Sequence, residues 1–155
     1  MLWLTVGSTL GGLLVTWWAH MPAETVLSEG VSAESDRLIT WVPNLQAGLA
    51  LAQASGKPAL VRFQGPASPL SRRMETEVFP EPAVRSFVNE YFVAVSVNIS
   101  IEPYAADRYG IRDVPVTLAM TPDGHDFLAQ SGFLEAEGFR IWLEQAREAW
   151  QKRSR

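Results

Sequence analysis

Short apolar segments typical of strands alternate with segments of helical periodicity from residue 38 to residue 150. The run Phe92–Asn98 is the clearest strand, and Ala59–Phe63 has the continuous apolar character of a strand that is buried on both faces. Strand–helix–strand units in series favour parallel pairing, because the helix returns the chain to the same edge of the sheet. The pattern therefore predicts an α/β fold with a central mixed sheet and helices on both of its faces.

Glycine and proline residues mark the ends of the other predicted elements. A strand at 38–42 ends at Pro43, and the helix that starts after Asn44 ends at Ser55–Gly56. The remaining predictions are a helix at 69–79 broken by Pro80, a helix opened by Pro82, a helical turn at 104–109, a hairpin of strands at 116–120 and 126–130, and a final helix along Phe139, Trp142, Leu143, Ala146 and Trp150. The predicted order is β-α-β-α-β-α-β-β-α, with the second helix kinked or broken.

The N-terminal segment has the character of a membrane anchor. Residues 2–19 contain no charged side chain, and eighteen residues rise about 27 Å as a helix, close to the hydrocarbon thickness of a bilayer. Tryptophans lie at both ends of the run, as at two membrane interfaces. The sequence thus predicts one hydrophobic anchor or signal helix in residues 1–20, a flexible linker at 21–36 and a folded domain at 37–152.

Two alternatives to an uncleaved anchor remain, a cleaved signal peptide and a buried helix of a soluble protein. No basic residue precedes the run and no clear small-residue cleavage site follows it, which favours the uncleaved anchor. The first basic side chain after the run is Arg37, so the domain is predicted on the outer side of the membrane, in the periplasm if the source is bacterial. Cleavage would instead give a secreted domain.

The chain has no cysteine and only two histidines, His20 and His125. This composition excludes disulfides, thiolate-bound metals and thiol catalysis, and it gives no pattern for a histidine metal site. With a net charge of −4, the chain also lacks the basic face expected of a nucleic-acid-binding protein. We therefore predict no metal, no cofactor and no nucleic-acid partner.

Six short motifs are spread over residues 38–150. They are Trp41, Ala54–Pro58, Val61-x-Phe63, Arg72–Glu75 with Val78–Phe79, Tyr109–Pro115 and Pro122–Gly124. In their order and spacing they resemble the thioredoxin superfamily, in particular its membrane-anchored thiol-disulfide interchange domains. The resemblance implies a thioredoxin-like three-layer fold, with a central mixed sheet between two layers of helices.

The resemblance also implies roles for individual positions. The family carries Cys-x-x-Cys where this chain has Ser68-Pro69-Leu70-Ser71, and serine cannot supply the thiolate that attacks a disulfide. At the position of Arg62 the family commonly has a buried acid that assists proton transfer, whereas arginine stays protonated. Pro115 is implied to follow a cis peptide bond, and Val114 to offer backbone groups to an extended peptide. The alternative is that Val114 and Pro115 only form a tight turn.

Simpler structural roles compete with these functional ones. Ser68 followed by Pro69 has the signature of a helix N-cap, and no motif positions a base that would make Ser68 a nucleophile. Three arginines lie near the loop: Arg62, Arg72 and Arg73. They are predicted to form a basic rim that binds an anion. The alternative for Arg72 and Arg73 is solvated helix surface. The nearby carboxylates are predicted as helix surface: Glu75, Glu77 and Glu81.

A scaffold that is retained while its redox groups are missing predicts a redox-inactive domain, tethered to the membrane through residues 2–19. It would bind a protein partner or an extended peptide, as an adaptor or assembly factor. The expected contact surface is the loop 65–71 together with Val114 and Pro115. One alternative is a protein related to thiol-disulfide oxidoreductases that acts with a partner's cysteines or with a cofactor. Another is a purely structural subunit of a membrane complex.

Overall fold

The computed structural model describes residues 38–155. The predicted anchor at 1–20 and the predicted linker at 21–36 lie outside the described residues. Within 38–155, no helix combines the length and the apolar character needed to cross a bilayer.

The described part of the chain forms one mixed sheet of four strands in the order β2–β1–β3–β4. The strands are β1 (Ala59–Gln64), β2 (Val93–Asn98), β3 (Val116–Met120) and β4 (Asp126–Ser131). β1 pairs in parallel with β2 and antiparallel with β3, which pairs antiparallel with β4. Strands β1, β2 and β4 therefore run in the same direction, and their carboxyl ends lie at one edge of the sheet.

Five helices connect and cover these strands in the described part of the chain. They are α1 (Leu45–Ser55), α2 (Pro69–Arg73), α3 (Pro82–Tyr91), α4 (Pro103–Arg108) and α5 (Ala136–Arg153), and α2 continues as a π-helical turn at Met74–Val78. Proline begins α2, α3 and α4, where a missing N–H group costs nothing. Helix α1 starts at Asn44, whose side chain accepts the N–H of Ala47, and ends at Gly56 in the left-handed conformation.

The sheet separates two apolar cores, so the prediction of helices on both faces is confirmed. On one face, Leu60 and Ala94 pack with residues of α3, α5 and the π-helical turn, including Phe139 and Met74. On the other face, Val61, Phe63 and Leu118 pack against α1 and the segment that follows α4. Successive residues of β1 thus enter opposite cores, which explains the continuous apolar run in this strand.

Two predicted elements differ from the structure. The predicted strand at 38–42 is a single parallel bridge between Val42 and Val95, because Pro43 has no N–H group with which to continue a ladder. The predicted helix at 69–79 changes from α to π geometry after Arg73, and the N–H of Phe79 donates to the carbonyl of Met74.

Candidate functional site

The loop between β1 and α2 lies at the edge of the sheet where β1 and β2 end. Gly65 begins this loop under the segment that precedes β3: a Cβ atom on Gly65 would lie 3.2 Å from Cγ2 of Val114. Only a residue without a side chain fits this approach without moving Val114. Gly65 therefore allows the loop to lie directly against Val114 and Pro115.

Ser68 connects the loop to that segment. Its hydroxyl donates a hydrogen bond of 3.0 Å to the carbonyl of Val114 and accepts the N–H of Ser71 at 3.2 Å. The second bond makes Ser68 the N-cap of α2, with Pro69 as the first helical residue, which confirms the capping interpretation. The peptide bond between Val114 and Pro115 is cis, the isomer that the resemblance implies.

Ser71 lies inward from Ser68 in the first turn of α2. Its side chain is buried, and its Oγ has no hydrogen-bond partner among the described residues. No histidine in the described part of the chain lies beside either serine: His125 lies in the turn between β3 and β4, at the opposite end of the sheet, where it is exposed beside Asp123. The two hydroxyl groups therefore lack the arrangement that would activate a nucleophile.

Arg62 occupies the middle of β1 and points into the core on the helix α2 side. It is only 9% exposed, and its guanidinium lies 4.2 Å from the ring centroid of Trp41 and 5.1 Å from that of Phe79. Its Nη2 donates to Oε1 of Glu75 at 3.0 Å, and its Nε donates to the hydroxyl of Ser96 at 3.0 Å. The cation is thus stacked, paired and hydrogen-bonded, as a buried charge requires.

Burial lowers the pKa of the Arg62 guanidinium from its ordinary value, while the charge and hydrogen bond of Glu75 act in the opposite direction. A guanidinium remains protonated under such opposing effects, so this position offers a fixed positive charge and no proton acceptor. The prediction of Glu75 as plain helix surface was incomplete, because this carboxylate is the ion-pair partner of Arg62.

The three arginines near the loop do not form a common basic rim. Arg62 is buried with Glu75, and Arg73 pairs with Glu77 at 2.8 Å while its guanidinium lies 3.9 Å from the centroid of the Phe133 ring. The side-chain hydrogen bond from Arg73 lowers the pKa of the Glu77 carboxyl. Two of the three cations are therefore already matched by carboxylates.

A groove of ≈ 500 Å³ opens beside the loop. It runs from Leu70, past the segment 109–116, to the exposed face of β4, where Ala129 lies opposite Leu118. Leu70 is 41% exposed although it is apolar. The N–H of Val114 makes no hydrogen bond to any other described residue, and the carbonyl of Pro115 accepts the N–H of Gly132. Sequence reasoning missed the contribution of β4, because the small residues on its outer face carry no motif.

The described residues show no group of three or more His, Asp or Glu side chains that could hold a metal ion. Arg62, the charged side chain of β1 near the loop, already contacts Trp41, Glu75 and Ser96. Among the described residues, the groove offers apolar side chains beside polar ones, the unpaired N–H of Val114 and the outer edge of β4, which are features that bind chains rather than ions.

Comparisons with known proteins agree with this geometry. A family model described as a thioredoxin-like domain matches residues 45–147. The solution structure of a thioredoxin from Thermus thermophilus is similar with 28% sequence identity and a TM-score of 0.64, over 69% of this chain and 85% of that one. A comparison with curated proteins finds no match.

Two further solved structures share the fold at lower identity. The C-terminal domain of DsbD from Neisseria meningitidis, in the oxidised form, has a TM-score of 0.59 at 20% identity, over 69% of this chain and 99% of that one. A DsbH oxidoreductase has a TM-score of 0.62 at 11% identity, over 76% of this chain and 88% of that one. Because the family model matches well over half of its residues, the chain belongs to the thioredoxin-like family, as a member without cysteine.

Proposed function

We propose that this protein is a redox-inactive, membrane-tethered adaptor or assembly factor whose thioredoxin-like domain binds an extended segment of a protein partner. The single observation that carries the proposal is the contact between the loop and the cis-proline segment, where the Ser68 hydroxyl donates to the Val114 carbonyl at 3.0 Å. The loop has no thiol for redox chemistry but still lies against the Val114–Pro115 segment. This combination supports a role in binding peptides rather than in catalysis.

The groove supplies the kinds of contact that an extended chain uses. The unpaired N–H of Val114 can bond a peptide carbonyl, and Leu70 offers an apolar side chain at the entrance. β4 is the last strand of the sheet formed by residues 38–155, so no other described strand pairs with its outer edge, which can accept main-chain pairing. Together these features support binding of an extended segment across the Val114–Pro115 bend.

Membrane attachment is the second part of the proposal. It is supported by the uncharged run at 2–19, whose length as a helix matches a bilayer, and by the absence of Lys and Arg between that run and Arg37. The domain would then lie on the outer side of the membrane. A tether raises the effective concentration of the domain near partners in the same membrane. A low affinity of the groove for the peptide is therefore sufficient for binding.

Site-specific photocrosslinking of the full chain in its native membranes tests the peptide-binding proposal. A benzoylphenylalanine residue in place of Leu70 should give one defined protein adduct, whereas the same residue in place of Leu51, an exposed position on α1, should not. Ala129→Trp should remove the adduct because the indole fills the groove, while Gln130→Trp, on the other face of β4, should keep it.

An adduct that persists in the Ala129→Trp variant, or the absence of an adduct from the Leu70 position, would contradict peptide binding in the groove. Turnover of the purified chain in an insulin-reduction assay would favour the enzyme alternative instead. Extraction of the chain from membranes by alkaline carbonate would contradict the tether.

A further inference from the structure

The end of the sheet opposite to the groove carries basic and aromatic residues, beside the carboxylates of Asp123 and Asp126 where β4 begins. The basic and aromatic set is here called the basic end. Its members are Lys57, Tyr91, Arg147, Trp150, Lys152 and Arg155. Lys57 precedes β1, Tyr91 ends α3 just before β2, and Trp150 stacks on Phe127 at the start of β4 with ring centroids 6.3 Å apart. Because these three strands run in the same direction, all of these residues lie at their amino ends.

Arg147 and Lys57 border a shallow cavity of ≈ 260 Å³ in the basic end. The guanidinium of Arg147 lies 4.0 Å from the ring centroid of Tyr91, and its Nε is buried without a hydrogen-bond partner among residues 38–155. Lys57 makes one long bond of 3.4 Å to the carbonyl of Asn89. One carboxylate, Glu90, lines the same cavity against these two cations. Because the Nε of Arg147 is closed to solvent, an anion would meet the ammonium of Lys57 and the outer nitrogens of the Arg147 guanidinium.

The last turn of α5 adds to this positive charge. Lys152 and Arg155 are exposed, and the guanidinium of Arg153 lies 5.4 Å from the ring centroid of Phe127. Trp150 is half-buried beside them. Cations that surround a partly exposed tryptophan and tyrosine are the composition of a surface that meets lipid headgroups, since the rings sit at the interface while the cations meet phosphates.

The first described residue lies at the same end of the domain. The carbonyl of Leu38, the first described residue, accepts a hydrogen bond of 3.0 Å from the side chain of Asn89 in the last turn of α3. The described part of the chain therefore begins at the basic end, and the apolar run at 2–19 precedes it in the sequence.

We infer that the basic end docks on the phosphate-bearing surface of an anionic phospholipid bilayer and holds the groove away from that surface. This inference rests on the membrane tether of the proposed function, because the tether keeps the domain beside the bilayer. It adds an orientation to that function: the loop, the cis-proline segment and the edge of β4 face partners that approach from the aqueous side.

Single-cysteine probes on the full chain test the inference without background, because the chain has no cysteine. One fluorophore is placed at Gln151→Cys in the basic end, and another at Tyr104→Cys, which lies at the groove end and is 88% exposed. Each labelled chain is incorporated in nanodiscs of phosphatidylcholine alone or with phosphatidylglycerol. Quenching by acrylamide in the aqueous phase then reports which probe is covered.

We expect the Gln151 probe to be protected in discs with phosphatidylglycerol and accessible in neutral discs, and the Tyr104 probe to be accessible in both. High salt should remove the protection. The triple variant Lys57→Gln/Lys152→Gln/Arg155→Gln should lower the docking equilibrium constant about 100-fold, because each cation near an anionic surface contributes about one factor of five. The control Arg72→Gln/Arg73→Gln/Arg112→Gln, with the same change of charge at the groove end, should keep the protection.

The outcomes separate the two ideas. A chain that enters the discs but whose Gln151 probe is quenched equally in both lipids overturns the docking and leaves the tether intact. A chain that does not enter the discs overturns the tether and, with it, the docking. Protection that survives the triple variant also overturns the docking, because the cations would then contribute nothing.

Discussion

The two serines of the loop differ in what their hydroxyl groups do. Ser68 accepts the N–H of Ser71 and donates to the carbonyl of Val114, so its oxygen is used in both directions. The Oγ of Ser71 is buried and bonds to no described residue. Ser68 has a structural role in its own right, whereas Ser71 carries a polar group that burial penalises.

Removing the two hydroxyl groups should therefore have different effects on stability. We expect Ser68→Ala to lower the free energy of unfolding by about 1–2 kcal/mol, because an N-cap and a link to Val114 are lost. We expect Ser71→Ala to leave it unchanged or raise it by up to about 1 kcal/mol, because an unpaired buried hydroxyl is removed. Urea denaturation measures both, and a Ser71→Ala variant less stable than Ser68→Ala would contradict the assignment.

The structural role of Ser68 could be predicted from the sequence, whereas the surroundings of Arg62 could not. The cap could be predicted from neighbours in the chain, because a serine before a proline is a local signal. The surroundings of Arg62 could not, because Trp41, Glu75 and Ser96 come from three separate segments that only the fold brings together. A cation at a position where relatives commonly have an acid indicated lost proton transfer, but not the ion pair that replaces it.

At the scale of elements, periodicity predicts best where a segment has one environment throughout. β2 and the hairpin of β3 and β4 follow the predicted ranges closely, and α5 contains the predicted apolar face, because each has a regular apolar pattern. The run at 38–42 has the composition of a strand and forms only one bridge, because pairing depends on a partner in space. The π-helical turn at Met74–Val78 leaves the apolar spacing of its helix unchanged and so gives no signal.

Helix α1 approaches the sheet through Gly48. A Cβ atom on Gly48 would overlap Cγ2 of Val95, a fully buried residue in β2, and would lie 2.9 Å from its Cγ1. Gly48→Ala gains about 1 kcal/mol of helix propensity but forces an overpacked contact that costs about 1–3 kcal/mol. Val95 is β-branched and cannot rotate away, so we expect a net loss of stability in thermal or urea unfolding.

A double-mutant cycle provides the matched control for Gly48. Val95→Ala alone should destabilise the protein, because it removes buried methyl groups. In the double variant Gly48→Ala/Val95→Ala, the methyl group added on α1 enters the space that the valine side chain leaves. The combined loss should therefore be smaller than the sum of the two single losses by about 1 kcal/mol or more. Strictly additive losses would show that the methyl group added at Gly48 does not contact the side chain of Val95.

The molecule as a whole places its two candidate surfaces at opposite ends of one sheet. The loop, Val114 and Pro115 lie at the carboxyl ends of β1 and β2, and the basic end lies at their amino ends. The sheet is rigid between them because both faces are covered by buried apolar residues. Whatever fixes one end in space therefore also sets the direction in which the other end points.

The positions that carry redox chemistry in relatives also belong to the whole molecule, because they come from different segments: β1 at Arg62, the loop at Ser68, and α2 at Ser71. We expect Ser68→Cys/Ser71→Cys to form a disulfide readily in air, since the cap geometry already brings the first side-chain oxygen to 3.2 Å from the Ser71 nitrogen. Leu70→Cys/Arg73→Cys, the same spacing within α2, should form one less readily, because side chains on a regular helix stand farther apart.

The double variant Ser68→Cys/Ser71→Cys should not become an efficient reductase. Two cysteines restore the sulfur atoms, but Arg62 cannot accept a proton, and its pairing with Glu75 keeps that position occupied. We expect alkylation and mass spectrometry to show the disulfide while insulin reduction stays near background. Adding Arg62→Asp should then raise turnover, at a cost in stability, because an acid replaces the stacked cation against Trp41. Fast reduction by the double variant alone would show that sulfur was the only part of the chemistry missing from this scaffold.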